Sequence, residues 1–280
     1  MRDSINTWGD YRTLVREFDA VLEHGKAVAA TGAALAAPHA SYGRQIYVKL
    51  LAHCVALRRL APDPQQTLPR DPWDLSSMSA LARSAIEAFD AFEYVAGHPL
   101  PEEERSFRIR LWELHDATRR LRIVTAVEAD ASVLTSIRSD MARLREGLET
   151  HPHLGTLSAE LRAELLRRFA RDDAPAFHLN QRQRCALSEI DADWYHVITL
   201  QLSQHMHTLP FSVHELSALS AGTPDMLGLL TQPLAFALPF LARGVHGVAP
   251  LMANRPPEPP SRTARTMHAW RAIGQRPSPT

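Results

Sequence analysis

Two pairs of polar residues are the strongest candidates for functional side chains in this sequence. The members of each pair are four positions apart. Arg83 and Glu87 lie in a largely apolar segment, and so do Ser203 and His207. Residues four apart in a helix lie on one side, one turn from each other, where both side chains reach the same partner. Each pair is therefore a candidate for a polar site on a helix.

The residue types of the two pairs point to different chemistry. An arginine held by a glutamate can grip an anion or another polar side chain, whereas the alternative is a solvated ion pair worth about 0.3–0.5 kcal/mol. Ser203 and His207 could pair as nucleophile and base, but the chain has no Gly-x-Ser-x-Gly elbow. The alternative for His207 is a hydrogen-bonded residue at the edge of the core.

A second arrangement joins Arg110 and His115 in Arg-Leu-Trp-Glu-Leu-His. Its spacing resembles that of the helical nucleotide-binding and ribonuclease domains of bacterial conflict systems. That resemblance implies that Arg110 binds phosphate and that His115 cleaves RNA by acid–base chemistry, in a site formed across a dimer. Five helical steps rotate the two side chains about 140° past one full turn, and the apolar residues between them favour packing. We therefore expect no ribonuclease activity from this pair and keep it as the alternative site.

Histidine is the other residue type that could carry chemistry, because the chain has fourteen of them. His205, His207 and His214 cluster in the sequence with Glu215 nearby, but Pro210 interrupts the helix between them. Zinc requires three or four ligands at compatible spacing, and the chain has no His-Glu-x-x-His, paired Cys-x-x-Cys or Glu-x-x-His motif. The sequence therefore predicts no metal or cofactor, and it leaves metal binding by this cluster open.

Composition restricts the class of protein. Thirty-one basic residues balance thirty-one acidic residues, so no overall positive field attracts nucleic acid. The two cysteines, Cys54 and Cys185, lie in apolar helical patterns, which is typical of reduced core cysteines. Residues 1–10 carry charges where a secretory signal needs an apolar run, so we expect a cytoplasmic protein.

The apolar segment 226–241 resembles a membrane span at first sight. It contains Gln232, Pro233 and Pro239 and is followed by Arg243, whereas a spanning helix needs about 20 predominantly apolar residues. We therefore predict a buried helix, kinked or broken at its prolines, and no membrane span.

Apolar residues recur at the three-and-four spacing of amphipathic helices throughout the chain, and no sustained alternating pattern indicates strands. These patterns predict an all-α protein with a single multi-helix bundle domain over residues 1–253. The segment 61–72 contains four prolines and reads as a loop. Residues 254–280 are rich in proline and arginine and are expected to form a flexible tail that can be removed without loss of folding.

The segments Leu-Ala-Arg-Ser-Ala-Ile-Glu-Ala-Phe at 81–89 and Leu-Ser-Gln-His-Met-His-Thr-Leu-Pro at 202–210 resemble a bacterial all-helical family catalogued only as a domain of unknown function. Members of that family look like Leu-x-Arg-x-x-x-Glu early and Tyr-x-x-x-Ser-x-x-x-His late. Arg83, Glu87, Ser203 and His207 match, whereas Thr199 stands where the family pattern has tyrosine. The resemblance implies a helical bundle in which the two signatures meet.

If the two signatures meet, Arg83, Glu87, Ser203 and His207 form a buried polar network. Such a network is either a structural clasp or a small-ligand site, and Glu87→Ala would then cost about 3–5 kcal/mol. We expect a ligand-binding or interaction role, in bacterial defence or stress response, with a ribonuclease or phosphodiesterase using Arg110 and His115 as the alternative. The sequence identifies no partner and is compatible with a homo-oligomer.

Overall fold

The computed structural model of the chain describes residues 7–32, 37–63, 73–128, 130–207, 209–217 and 223–275. The predicted all-α class is confirmed, because 80% of these described residues are helical and they form no sheet. The α-helices are α1 (Trp8–Ala29), α2 (Pro38–Leu60), α3 (Leu75–Phe92), α4 (Glu102–Ala126), α5 (Ala131–Glu149), α6 (Pro152–Thr156), α7 (Ala159–Ala170), α8 (Gln181–Leu187), α9 (Ala192–Met206), α10 (Pro210–Ser217), α11 (Pro224–Val248) and α12 (Ser261–Arg271).

Short polar side chains begin many of these helices. The carboxylate of Asp74, for example, accepts a hydrogen bond from the backbone N–H of Ser77 at 2.8 Å, as expected for an N-cap. The same role is taken by Thr7, Asp130, Ser158, Asp191 and Thr223. Capping is a local interaction, because the side chain and the backbone N–H that it accepts from lie within three residues of each other.

The helices form two compact units. The first unit contains residues 1–93 and 185–280, and the second contains residues 94–184. This differs from the predicted single bundle over residues 1–253. Helical periodicity indicates that a face is buried, but it does not indicate which other helix covers that face.

In the first unit, α11 is the central helix. It packs against α1, α2, α3 and α12, and both of its internal prolines, Pro233 and Pro239, are buried. Among the described residues, 224–251 is the one helical stretch long and apolar enough to cross a membrane, and 56% of its most apolar window is buried in the fold. Burial against four other helices accounts for its apolar composition.

The C-terminal segment also belongs to the first unit. Helix α12 packs on α1 and α11, with Thr263, Met267 and Trp270 buried. The Trp270 indole donates a hydrogen bond to the Glu17 carboxylate at 2.8 Å. Helix α12 is therefore packed, in contrast to the predicted flexible tail, whereas residues 254–260 are exposed or half-buried. Residues 276–280 lie outside the described part of the chain. The prediction was wrong because the proline-rich stretch is followed directly by a short amphipathic helix, which was included in the tail.

The second unit is built on α4 and α5, which pack against each other, with α6 also packed on α4. The short connection between α4 and α5 makes them antiparallel neighbours. Their apolar sides share one core with residues from α6, α7 and the segment after α7: Phe107, Leu111, Leu114, Ala117, Met141, Leu144, Leu148, Leu154, Leu165, Phe169 and Ala174. Arg108 is completely buried in this unit.

Candidate functional site

The structure brings three of the four signature residues together between α3 and α9. The Arg83 guanidinium donates to the Glu87 carboxylate at 2.8 Å and to Ser203 Oγ at 2.5 Å. It also donates to the Thr199 carbonyl oxygen at 2.6 Å. The Ser203 hydroxyl donates to that same carbonyl at 2.9 Å. The serine hydrogen is therefore engaged with the helix backbone, and the arrangement fits a clasp between two helices better than an activated nucleophile.

His207 does not join this clasp. Helix α9 ends at Met206, and His207 has an extended backbone with φ −94° and ψ 141°. A spacing of four places side chains on one side only within a helix, and the His207 side chain is exposed. The Glu87 side chain is also 57% exposed and that of Arg83 is 28% exposed. The network is therefore a half-buried clasp of three residues, in contrast to the buried network of four expected from the sequence.

We expect Glu87→Ala to cost only about 0.5–1 kcal/mol of unfolding free energy, because its pair with Arg83 is partly solvated. Arg83 also keeps its bonds to Thr199 and Ser203 in this variant. A matched control is Asp116→Ala, which removes a similarly exposed carboxylate from its ion pair with Arg120 at the same helical spacing. Urea unfolding of both variants tests the expectation, and a loss near 3 kcal/mol for Glu87→Ala would contradict it.

The alternative site is not assembled within one chain. Arg110 is exposed and donates to the Gly147 carbonyl of α5 at 3.2 Å. His115 Nδ1 lies 2.8 Å from the Ala174 carbonyl, in the segment after α7. The two side chains contact different elements, as the 140° rotation between them implies. This geometry gives the ribonuclease interpretation no support from a single chain.

Of the three clustered histidines, only His205 approaches Glu215. Its Nε2 lies 3.2 Å from a Glu215 carboxylate oxygen, and its side chain is 2% exposed. Burial lowers the pKa of His205, while the Glu215 carboxylate opposes that shift. His207 and His214 are exposed, so the cluster supplies one histidine and one carboxylate in place of a set of three or four ligands.

A different group of potential ligands lies in the second unit. Glu104 on α4, His153 on α6 and His178 in the segment before α8 each place one ligand atom within 4.8 Å of the others. The Phe107 ring packs beside both imidazoles, with ring centroids 5.1 Å and 5.5 Å away. Three separate elements therefore bring one oxygen and two nitrogens close together.

Arg108 binds one member of this group, the Glu104 carboxylate. Its Nε and Nη2 donate to Glu104 Oε1 at 3.0 Å and 2.5 Å. Its Nη1 donates to the Tyr94 carbonyl at 3.1 Å and lies 3.0 Å from His98 Nδ1. The guanidinium carbon also sits 4.6 Å from the centroid of the Tyr94 ring. A completely buried arginine requires such partners, and Glu104 supplies the compensating charge.

The histidines around Arg108 are held in the neutral form. Burial, followed by the positive charge of Arg108, lowers the pKa of His178 to about 3 and that of His98 to about 4. Tyr94 lies in the single π-helical turn Glu93–Gly97 that follows α3, and its hydroxyl oxygen is 2.7 Å from His178 Nδ1. Single π-turns occur frequently at functional sites.

Sequence reasoning missed Glu104, His153 and His178. Glu104 is one of three acidic residues in the first turn of α4, a pattern explained by the helix dipole. His153 lies in a His-Pro-His break and His178 in an irregular segment, so no spacing connects the three. The one available signal was that histidines occur in the breaks between helices. That signal does not indicate which of these histidines lie close together in the fold.

No protein-family model, curated protein sequence or solved structure matches the chain in the comparisons with known proteins. The resemblance of the two polar signatures to a bacterial helical family therefore stays a prediction. What the chain does must be inferred from the geometry of its own residues.

Proposed function

We propose that the chain is a helical interaction protein that assembles with a second copy of itself through the segment 194–214. This segment includes most of α9 and the first part of α10. One observation carries the proposal: its large apolar side chains are exposed and no charged residue accompanies them.

Exposed apolar side chains are concentrated in this segment. Six of the large hydrophobic residues that are exposed in the described part of the chain fall within it: Val197, Leu200, Met206, Leu209, Phe211 and Val213, with exposed fractions from 36% to 58%. Single exposed apolar residues are normal on a protein surface, whereas a concentration of them is typical of an interaction site.

The segment also lacks charge. No Asp, Glu, Lys or Arg occurs from Trp194 to His214, although such residues make up 22% of the chain. The cores of protein interfaces are depleted in charged residues and enriched in aromatic residues and methionine. Phe211 and Met206 fit that composition.

The absence of charge also bears on the partner. In a twofold dimer, the same surface of each copy meets its counterpart, so charged surfaces of one sign repel. An uncharged apolar surface avoids this repulsion. Nucleic acid is a poor fit, because the segment offers no arginine or lysine to a phosphate backbone.

The test is the mass of the protein in solution. We expect light scattering after size exclusion to give twice the 31.2 kDa mass of the chain. Val197→Glu and Phe211→Glu should each shift the protein toward the monomer, because the dimer would bury an unpaired charge. Ile123→Glu is the matched control, since Ile123 is an apolar residue outside the segment that is at least as exposed as Val197 and Phe211.

A wild-type protein that stays monomeric over its whole soluble concentration range would overturn the proposal. So would a dimer that Ile123→Glu disrupts and that Val197→Glu and Phe211→Glu leave intact. If the protein is monomeric and binds lipid vesicles through this segment, then the segment contacts a membrane surface and the dimer proposal is wrong.

A further inference from the structure

The group formed by Glu104, His153 and His178 includes one buried nitrogen that makes no hydrogen bond within the described part of the chain. His153 Nε2 is buried and has no hydrogen-bond partner among the described residues. Buried polar atoms in native proteins are nearly always hydrogen-bonded, so an orphaned atom calls for an explanation. A ligand that is bound by the working protein is one such explanation.

The hydrogen bonds around His153 indicate which of its nitrogens carries the proton. The Thr156 hydroxyl donates its hydrogen to the His153 carbonyl at 2.8 Å. Its oxygen lies 3.4 Å from His153 Nδ1 and can only accept there, which favours a proton on Nδ1. In that neutral tautomer Nε2 carries a lone pair, as a metal ligand must.

The other two members also keep one ligand atom available. Both hydrogen bonds from Arg108 go to Glu104 Oε1, so Oε2 is left for another partner. His178 Nδ1 lies 2.7 Å from the Tyr94 hydroxyl oxygen. In the tautomer in which Nδ1–H donates to that oxygen, Nε2 keeps its lone pair for a metal. Metal-binding histidines usually place their second nitrogen against an oxygen in this way, and ligating carboxylates are themselves hydrogen-bonded.

From this convergence we propose that Glu104, His153 and His178 bind one divalent transition-metal ion of the zinc class. Two imidazole nitrogens and one carboxylate oxygen are ligands that zinc uses at about 2.0–2.2 Å, with water completing four-coordination. The three ligand atoms lie within 4.8 Å of one another, so they must move closer together to reach these metal–ligand distances. His153 and Glu104 are only partly buried, so their side chains are freer to rotate toward the ion than the buried His178.

The ligand set also determines which metals are selected. Imidazole suits zinc, copper, nickel and cobalt, whereas magnesium and calcium prefer sites made of oxygen alone. Arg108 orients the Glu104 carboxylate in the manner of an outer-shell partner. The residues of the site belong to the second unit and the segment 194–214 belongs to the first, so the two proposals share no residue.

The test is titration of chelator-treated protein with Co²⁺, followed by visible absorption, and with Zn²⁺, followed by calorimetry. We expect one ion per chain, the ligand-field bands of four-coordinate cobalt, and no competition by Mg²⁺. His153→Ala and His178→Ala should each weaken Zn²⁺ binding by at least about tenfold. His153→Ala is the decisive variant, because His153 is only partly buried and its loss removes no hydrogen-bond partner of the buried Arg108. The variant should therefore keep its fold.

With fourteen histidines in the chain, binding elsewhere is the main competing outcome. His196→Ala removes an exposed histidine on α9, and Glu103→Ala removes the exposed neighbour of Glu104; both should bind Zn²⁺ like the parent. Failure of the wild type to bind Co²⁺ or Zn²⁺ would overturn the proposal. Folded His153→Ala protein, verified by circular dichroism, that binds with unchanged affinity would overturn it as well.

Discussion

Glu104→Ala is expected to lower the unfolding free energy of the metal-free protein by about 3–5 kcal/mol, because it leaves Arg108 buried without its counter-charge. The Arg108 side chain is 0% exposed and that of Glu104 is 22% exposed. The remaining partners of the guanidinium, the Tyr94 carbonyl and His98, are neutral. Neither replaces a carboxylate that accepts from both Nε and Nη2.

The measurement is chemical unfolding of the parent and variant in the presence of a chelator, so that metal binding does not contribute. Glu103→Ala is the matched control, because it removes an exposed acidic residue from the same helical turn. That control should change stability by less than about 0.5 kcal/mol. A cost for Glu104→Ala as small as that of the control would show that Arg108 reaches water.

Trp270→Ala is expected to destabilise the first unit by about 3–5 kcal/mol, the usual cost of removing a large aromatic side chain from a packed interior. Trp270 is 3% exposed, and its indole N–H donates to Glu17 on α1. The substitution therefore creates a cavity beside α1 and α11 and also removes a hydrogen bond between helices. A chain ending before α12 should lose at least as much stability.

Thermal and urea unfolding of Trp270→Ala should be compared with those of His268→Ala, which alters an exposed position on the same helix. We expect the histidine variant to unfold like the parent. If the chain truncated before α12 is as stable as the full chain, then α12 contributes nothing to the core and the flexible-tail interpretation is correct.

Part of the candidate chemistry was predictable from spacing. Arg83 and Glu87 are paired because both lie within one regular helix, where positions four apart always face the same side. The same rule did not hold for His207, since α9 ends one residue earlier. Spacing predicts proximity only as far as the helix continues, and the end of α9 has no strong stop signal before Pro210.

The sequence by itself determined the all-α class and the burial of α11, because periodicity and apolar composition are properties of neighbouring residues. Only the tertiary structure decided the division into two units, the packing of α12 through its buried Trp270, and the proximity of Glu104, His153 and His178. Each of these depends on contacts between residues far apart in the chain. Such contacts form where buried faces find complementary partners, and no local pattern encodes which partner that is.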